Sequence, residues 1–208
     1  MTTIRRLTHS CLIVTGDDGT VLLDPDVFTW TRGVVDLDSV GDVQRVLITH
    51  EHADHMHPEF ITWLRDRGTD VTVHANARVQ ELLAAQDIEV TTADPAGTTS
   101  EDVLHGTLPN GQQPPNRAFT YAGVTHTGDS FEISACGDVL FLPLMVPWGA
   151  ARSGVELVER LGPKQVIHAH DFYLSDGGRA FIYEIVGGAI AAAGTEFVPL
   201  AYGDGYTV

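Results

Sequence analysis

Thr49-His50-Glu51-His52-Ala53-Asp54-His55 follows the run Arg45-Val46-Leu47-Ile48 and precedes Met56-His57-Pro58-Glu59. A β-branched run ending at this cluster reads as a buried strand, and Pro58 suits the first turn of a helix that follows. The cluster then lies on the loop between them. A loop can turn His50, His52, Asp54 and His55 towards one region, which a straight strand or helix cannot do for all four. Imidazole nitrogens and a carboxylate in that arrangement suit zinc, manganese or iron. One or two histidines would read as a solvated turn; three with an aspartate on a tight loop read as a metal site.

The spacing HxHxDH resembles the signature of the metallo-β-lactamase superfamily. The resemblance extends over nearly the whole chain. Within the superfamily the sequence is most similar to the L-ascorbate-6-phosphate lactonase-like branch and its compact actinobacterial-type members. Thr8-His9-Ser10-Cys11-Leu12, Gly128-Asp129-Ser130, Pro147-Trp148 and the strand ending His170-Asp171 carry that likeness. His57 departs from the pattern, in which an acidic residue is frequent.

The resemblance implies a dinuclear centre. His50, His52 and His105 would hold one metal; Asp54, His55 and His170 the second; Asp129 would bridge them. Asp54 and Asp129 would be the catalytic carboxylates, and Asp24 would orient a ligand histidine. Two divalent ions are expected, Zn2+ first, with Mn2+ or Fe as the other candidates. The implied chemistry is hydrolysis of a small ester, lactone or phosphoester by a metal-bound hydroxide. A nuclease or phosphodiesterase of the same fold, or a non-catalytic metal-binding protein, is the alternative.

Residues 3–7, 11–15 and 20–24 read as short strands, with Asp17-Asp18-Gly19 turning the second into the third. Residues 27–41 read as a long connection. Helices are expected over 58–67, 75–86, 150–161 and 179–193, the last with Phe181, Ile182, Ile185, Val186, Ala189 and Ile190 as one apolar stripe. Strands are expected at 70–73, 88–92, 102–106, 118–121, 124–127, 139–142, 165–169, 196–200 and 206–208. Strands interrupted by helices in each half, together with the resemblance, give an α/β (α+β) class: an αββα sandwich of two mixed sheets with helices outside. Residues 1–208 read as one domain of metallo-β-lactamase fold.

Among the other histidines, His74 reads as structural and His126 as packed beneath or away from the metals. Whether His9 reaches the site from the first strand stays open. His168 and His170 share one face of their strand; position at the strand end favours His170 as the ligand. Trp30, Trp148, Arg152 and Tyr173 either line a pocket or pack.

The 208 residues carry 28 acids against 12 bases, a formal net charge of −16, and Lys164 is the one lysine. Such a surface repels a polyphosphate backbone and an anionic membrane. No apolar run approaches a membrane span, and no signal-type segment follows Met1, so a cytoplasmic protein with a small-molecule substrate is expected. Homo-oligomerisation is left open. Cys11 and Cys136 are too few for a disulfide scaffold and read as small buried residues. Binding to generic RNA or DNA at physiological salt is expected to be weak. Tight, salt-sensitive retention in a mobility-shift assay would revive the nuclease alternative.

Overall fold

Alternation along the strands divides the side chains between two faces, and this builds the molecule. The computed structural model describes residues 1–67 and 70–208. In β2 (Leu12–Gly16), β3 (Gly19–Leu23) and β4 (Arg45–Ile48), the residues Leu12, Val14, Val21, Leu23 and Leu47 face one way, while Ile13, Leu22, Val46 and Ile48 face the other. β9 (Val139–Pro143) does the same, with Val139 and Phe141 on one side and Leu140 and Leu142 on the other. A strand with both faces apolar is covered on both sides.

The first sheet also contains β1 (Thr3–Arg6), β5 (Thr72–Ala75) and β12 (Gly205–Thr207), in the order β12-β1-β2-β3-β4-β5. The second is built from β6 (Thr98–Leu104), β7 (Pro115–Tyr121), β8 (Val124–His126), β9, β10 (Gln165–Ala169) and β11 (Glu196–Val198), in the order β11-β10-β9-β8-β7-β6. Both are mixed: β3-β4-β5 and β8-β9-β10-β11 run parallel, and the remaining neighbours antiparallel. The inner faces meet through Leu12, Val14, Leu47, Phe119, Phe141 and Ile167. Outside the first sheet lie α2 (Pro58–Asp66) and α3 (Ala77–Ala84), which bring Phe60, Ile61, Leu64, Val79 and Leu83. Outside the second lie α4 (Ala151–Leu161) and α5 (Asp176–Ala192), which bring Val155, Val158, Val186 and Ile190. This is the expected αββα sandwich.

Several local expectations are corrected. The connection 27–41 holds a short helix, α1 (Val27–Thr31), capped by Asp26, and a 3-10 turn at Leu37–Val40. The segment 88–92 is not a strand; it makes one bridge, His74 to Thr91, while Ile88 and Val90 are buried as anchors. β6 begins at Thr98, earlier than expected, and stops before His105. It is an edge strand whose polar residues leave little apolar alternation to read. The buried face of α5 centres on Val186, Gly187 and Ile190, and Phe181 and Ile185 are exposed. Gly187 explains the rotation: a Cβ there would stand 2.7 Å from the Phe197 ring, so the helix seats its bare backbone on that side chain. Cys136 is half-buried rather than buried.

A buried polar knot closes the sandwich below β10. Arg6, 1% exposed, pairs with Asp171 and donates to the Leu200 carbonyl at 2.9 Å. Tyr183 and Tyr202 donate to the same carboxylate. Burial pushes the Asp171 carboxyl up, but the His168 ring and the Arg6 guanidinium outweigh it and hold it below its ordinary value. A depressed carboxyl contributes stability above the unfolded value, about pH 4, and loses that contribution as pH falls through its folded value. Arg6→Met is expected to cost about 3–5 kcal/mol in urea denaturation, because it strands a buried charge. Adding Asp171→Leu is expected to recover much of that loss.

Candidate metal centre

The centre lies where the strand ends of both sheets meet. The first sheet delivers Asp24 just after β3 and residues 49–55 just after β4. The second delivers His105 after β6, Asp129 after β8 and His170 after β10. The loop Thr8-His9-Ser10, between β1 and β2, closes one side. Thr8 and Ser10 are held by buried Asp26, and Ser10 also donates to the Asp54 carbonyl.

Backbone contacts weld the two sheets at this point. The Arg117 amide donates to the Thr49 carbonyl at 2.9 Å, and the His170 amide donates to the His9 carbonyl at 3.0 Å. Asn116 accepts from the Asp129 amide and donates to the Thr127 carbonyl. Gly128 is required twice over. Its φ is 56°, and a Cβ would stand 2.2 Å from Asn116 Oδ1 and 2.7 Å from Thr49 Cβ.

Partners on Nδ1 decide which ring nitrogens are lone-pair donors. His105 Nδ1 donates to the Gly106 carbonyl at 2.6 Å. His55 Nδ1 donates to Asp24 at 2.6 Å. Asp24 accepts from the Thr49 amide and hydroxyl, both at 2.7 Å. The hydroxyl, its proton spent on Asp24, accepts from His50 Nδ1 at 3.0 Å. Each of these three imidazoles, in its neutral form, therefore turns a bare Nε2 inward.

His50, His52, His105 and Asp129 place one ligand atom each within 4.8 Å of one another, as do His55, Asp129 and His170. Asp129 belongs to both groups. Its Oδ1 stands 2.9 Å from His170 Nε2 and its Oδ2 stands 3.2 Å from His105 Nε2. His105 Nε2 and Asp129 Oδ1 are buried without a hydrogen-bond partner. Converging lone pairs and orphaned buried acceptors fit cations. Asp54 forms a third group, with His170 and His9, and its Oδ2 lies 3.5 Å from His9 Nε2.

The electrostatics agree with a donor set at His50, His52, Asp54 and Asp129, and run against it at His55. Burial, with the neighbouring rings, pushes His50 well below its usual value and lowers His52. Burial works against the Asp129 charge, yet His170 and His55 hold that carboxyl well below its usual range. Asp54 is held low in the same way, first by His9 and then by His55. Burial alone would lower His55; Asp129 and Asp24 outweigh it and hold the ring well above its usual value.

The remaining histidines separate cleanly. His168 faces Arg6 and Tyr183, away from the centre. His126 lies beneath, its Nε2 donating to the Ser10 carbonyl at 2.8 Å and its Nδ1 accepting from the Gly128 amide. His74 bonds to the Ala93 carbonyl and Thr72, and His57 pairs with Glu59. Trp30 packs on Phe60 and Trp63, and Arg152 pairs with Glu156 and Glu159. Trp148 does more than pack: its indole N–H donates to Asp129 Oδ2 at 2.9 Å. It lies where a Cβ on Gly106 would stand 1.8 Å from its ring. Sequence reasoning passed over Thr49 and Asn116. Thr49 had a signal, its place inside the motif; Asn116 had none, since its partners are distant in sequence.

The model of the β-lactamase superfamily domain matches residues 3–170. The chain belongs to the metallo-β-lactamase superfamily. It is similar to the UPF0173 protein PF0020 of Pyrococcus furiosus, with 27% identity over 175 residues, 78% of this chain and 80% of that protein. Its fold is similar to that of a Parabacteroides distasonis protein provisionally assigned as a metal-dependent hydrolase: TM-score 0.71, 21% identity, 95% of this chain and 92% of that one. It is also similar to Igni18, a metallo hydrolase of Ignicoccus hospitalis: TM-score 0.71, 16% identity, 99% and 98% covered. No helix among the described residues is long and apolar enough to cross a membrane.

Asp24→Asn is expected to weaken metal binding by about 10–100-fold, because an amide cannot accept from Thr49 and His55 together. Titration of chelator-treated protein with zinc, followed by elemental analysis, checks this.

Proposed function

We propose that this chain is a metal-dependent hydrolase of a small, uncharged ester or lactone, with zinc the first candidate for both ions. The observation that carries the proposal is the trio of inward Nε2 lone pairs on His50, His55 and His105, converging with Asp129 between two ligand groups. In this reading His50, His52 and His105 hold one ion, His55, His170 and Asp54 the other, and Asp129 both. Bound ions would supply hydroxide near neutral pH and positive charge for a developing oxyanion. Trp148 keeps one oxygen of Asp129 oriented and, with Gly106 and Phe131, walls a cavity of about 680 Å3 beside His105. Asp54, whose side chain is 24% exposed, is the carboxylate we place to accept the proton of the attacking water and return it to the leaving group.

The cavity wall favours an uncharged substrate over a phosphoester. Arg160 spends its guanidinium on the carbonyls of Phe131 and Ile133, and nearby Arg152 is committed to two glutamates. Both guanidiniums are thereby drawn to partners in the protein itself. A lactone is the first candidate ester, on the resemblance of the Thr8-His9-Ser10, Gly128-Asp129-Ser130 and Pro147-Trp148 segments to the lactonase-like branch.

Purified protein is expected to carry up to two transition-metal ions per chain, and His50→Ala with His52→Ala to lose at least one by elemental analysis. Asp129→Asn is expected to reduce hydrolysis by about 100-fold or more while leaving the fold intact. Full metal in the double variant, or undiminished turnover in Asp129→Asn across lactone, ester and phosphodiester panels, would overturn the assignment.

A further inference from the structure

His9 satisfies the distance criterion of a metal ligand, in a group with Asp54 and His170. Its tautomer says otherwise. The ring is fully buried, 4.1 Å from the His170 ring and edge-on to Phe28 and Tyr173. The Phe172 amide donates to its Nδ1 at 3.3 Å. An imidazole that accepts at Nδ1 carries its proton on Nε2. Nε2 therefore offers a hydrogen, where His50, His55 and His105 offer a lone pair. That buried N–H has no hydrogen-bond partner, and the carboxylate oxygen Asp54 Oδ2 lies 3.5 Å away. An unpartnered buried donor that lies beside a carboxylate calls for that carboxylate as its acceptor.

We propose that His9 is a positioning residue: its Nε2–H holds Asp54 in place at the centre, and the ring is not itself a ligand. The proposal rests on the reading that the centre binds two cations. One loop addresses Asp54 at two points: Ser10 donates to its backbone carbonyl, and His9 Nε2 stands 3.5 Å from its side chain. The loop is docked in turn on the end of β10, through the His170 amide on the His9 carbonyl and the Phe172 amide on the ring. Thr8-His9-Ser10 thus ties Asp54 to His170, so that the two carry a fixed separation.

Chelator-treated protein titrated with zinc, read by calorimetry and elemental analysis, separates the outcomes. The wild type is expected to take up two equivalents. His9→Phe keeps the ring volume and removes the donor; its second equivalent is expected to weaken about 10–100-fold, with the first unchanged. His9→Gln restores an N–H donor and an acceptor for Phe172, and is expected to recover most of the loss. Unchanged affinity in His9→Phe, or no recovery in His9→Gln, would overturn the proposal. Fewer than two equivalents in the wild type would instead remove the two-cation reading on which it stands. Should His9→Phe fail to fold, the zinc-loaded wild type still decides through long-range proton–nitrogen correlation of its 15N-labelled histidines, with His9 identified by its disappearance in His9→Gln. An Nε2–H tautomer for His9 is the expected signature, and a zinc-bound Nε2 would refute it.

Discussion

The carboxylate of Asp24 is the interaction on which the centre hangs. It is fully buried, at φ 49°, a conformation that costs a non-glycine residue about 1–2 kcal/mol. One oxygen takes the Thr49 amide, and the other takes the Thr49 hydroxyl and His55 Nδ1. A buried carboxylate is tolerated only when its lone pairs are occupied. Occupying them has three effects. The chain after β4 turns at a defined angle, the protons of His50 and His55 are fixed on Nδ1, and both Nε2 atoms face inward. A residue without an acceptor at position 24 leaves the Thr49 amide and hydroxyl without their partner at the point where the motif begins.

The second sheet answers with backbone rather than charge. Asn116 bridges Thr127 and Asp129, and Gly128 lets that turn approach Thr49 to a distance that any side chain would forbid. Asp129 thereby reaches the midpoint between ligand sets drawn from both sheets. The centre is therefore a product of sheet packing. Leu12, Leu47, Phe119, Phe141 and Ile167 between the sheets set the separation at which the two sets of loops can meet. Rigid strands with chemistry on the loops beyond them follow the general division of labour in folds of this kind.

What could be read in advance was what is local or periodic. HxHxDH is contiguous, so its chemistry shows in the bare sequence, and alternation in β2, β3, β4 and β9 announces strands covered on both faces. Strand position points to His170 rather than His168, whose ring turns to Tyr183. The rest depends on contacts between distant residues. The proton on His9 is set by the amide of Phe172, 163 positions away, and the grip of Trp148 on Asp129 spans 19. The stripe of six apolar residues places the face of α5 too far round, because it does not reveal that Phe197 meets Gly187. β6 starts earlier than the sequence suggests because its first residues, Thr98-Thr99-Ser100-Glu101-Asp102, form no apolar face.

The polar knot around Arg6 gains its meaning from its neighbour in sequence. His170 adopts φ 60°, a left-handed conformation that costs a residue with a Cβ about 1–3 kcal/mol. It holds that conformation because both sides are tied. Its amide is bound to the His9 carbonyl, and the next residue, Asp171, is locked by Arg6, Tyr183 and Tyr202. With Asp171 buried in that knot and Ala169 in the inter-sheet core, the chain has one residue in which to turn, and that residue is the one whose ring enters the centre. A glycine would make the turn without strain but would bring no imidazole. The ion pair below β10 therefore serves the centre as well as the core, because it offsets the strain of placing a ligand-type side chain at a position that backbone geometry would otherwise assign to glycine.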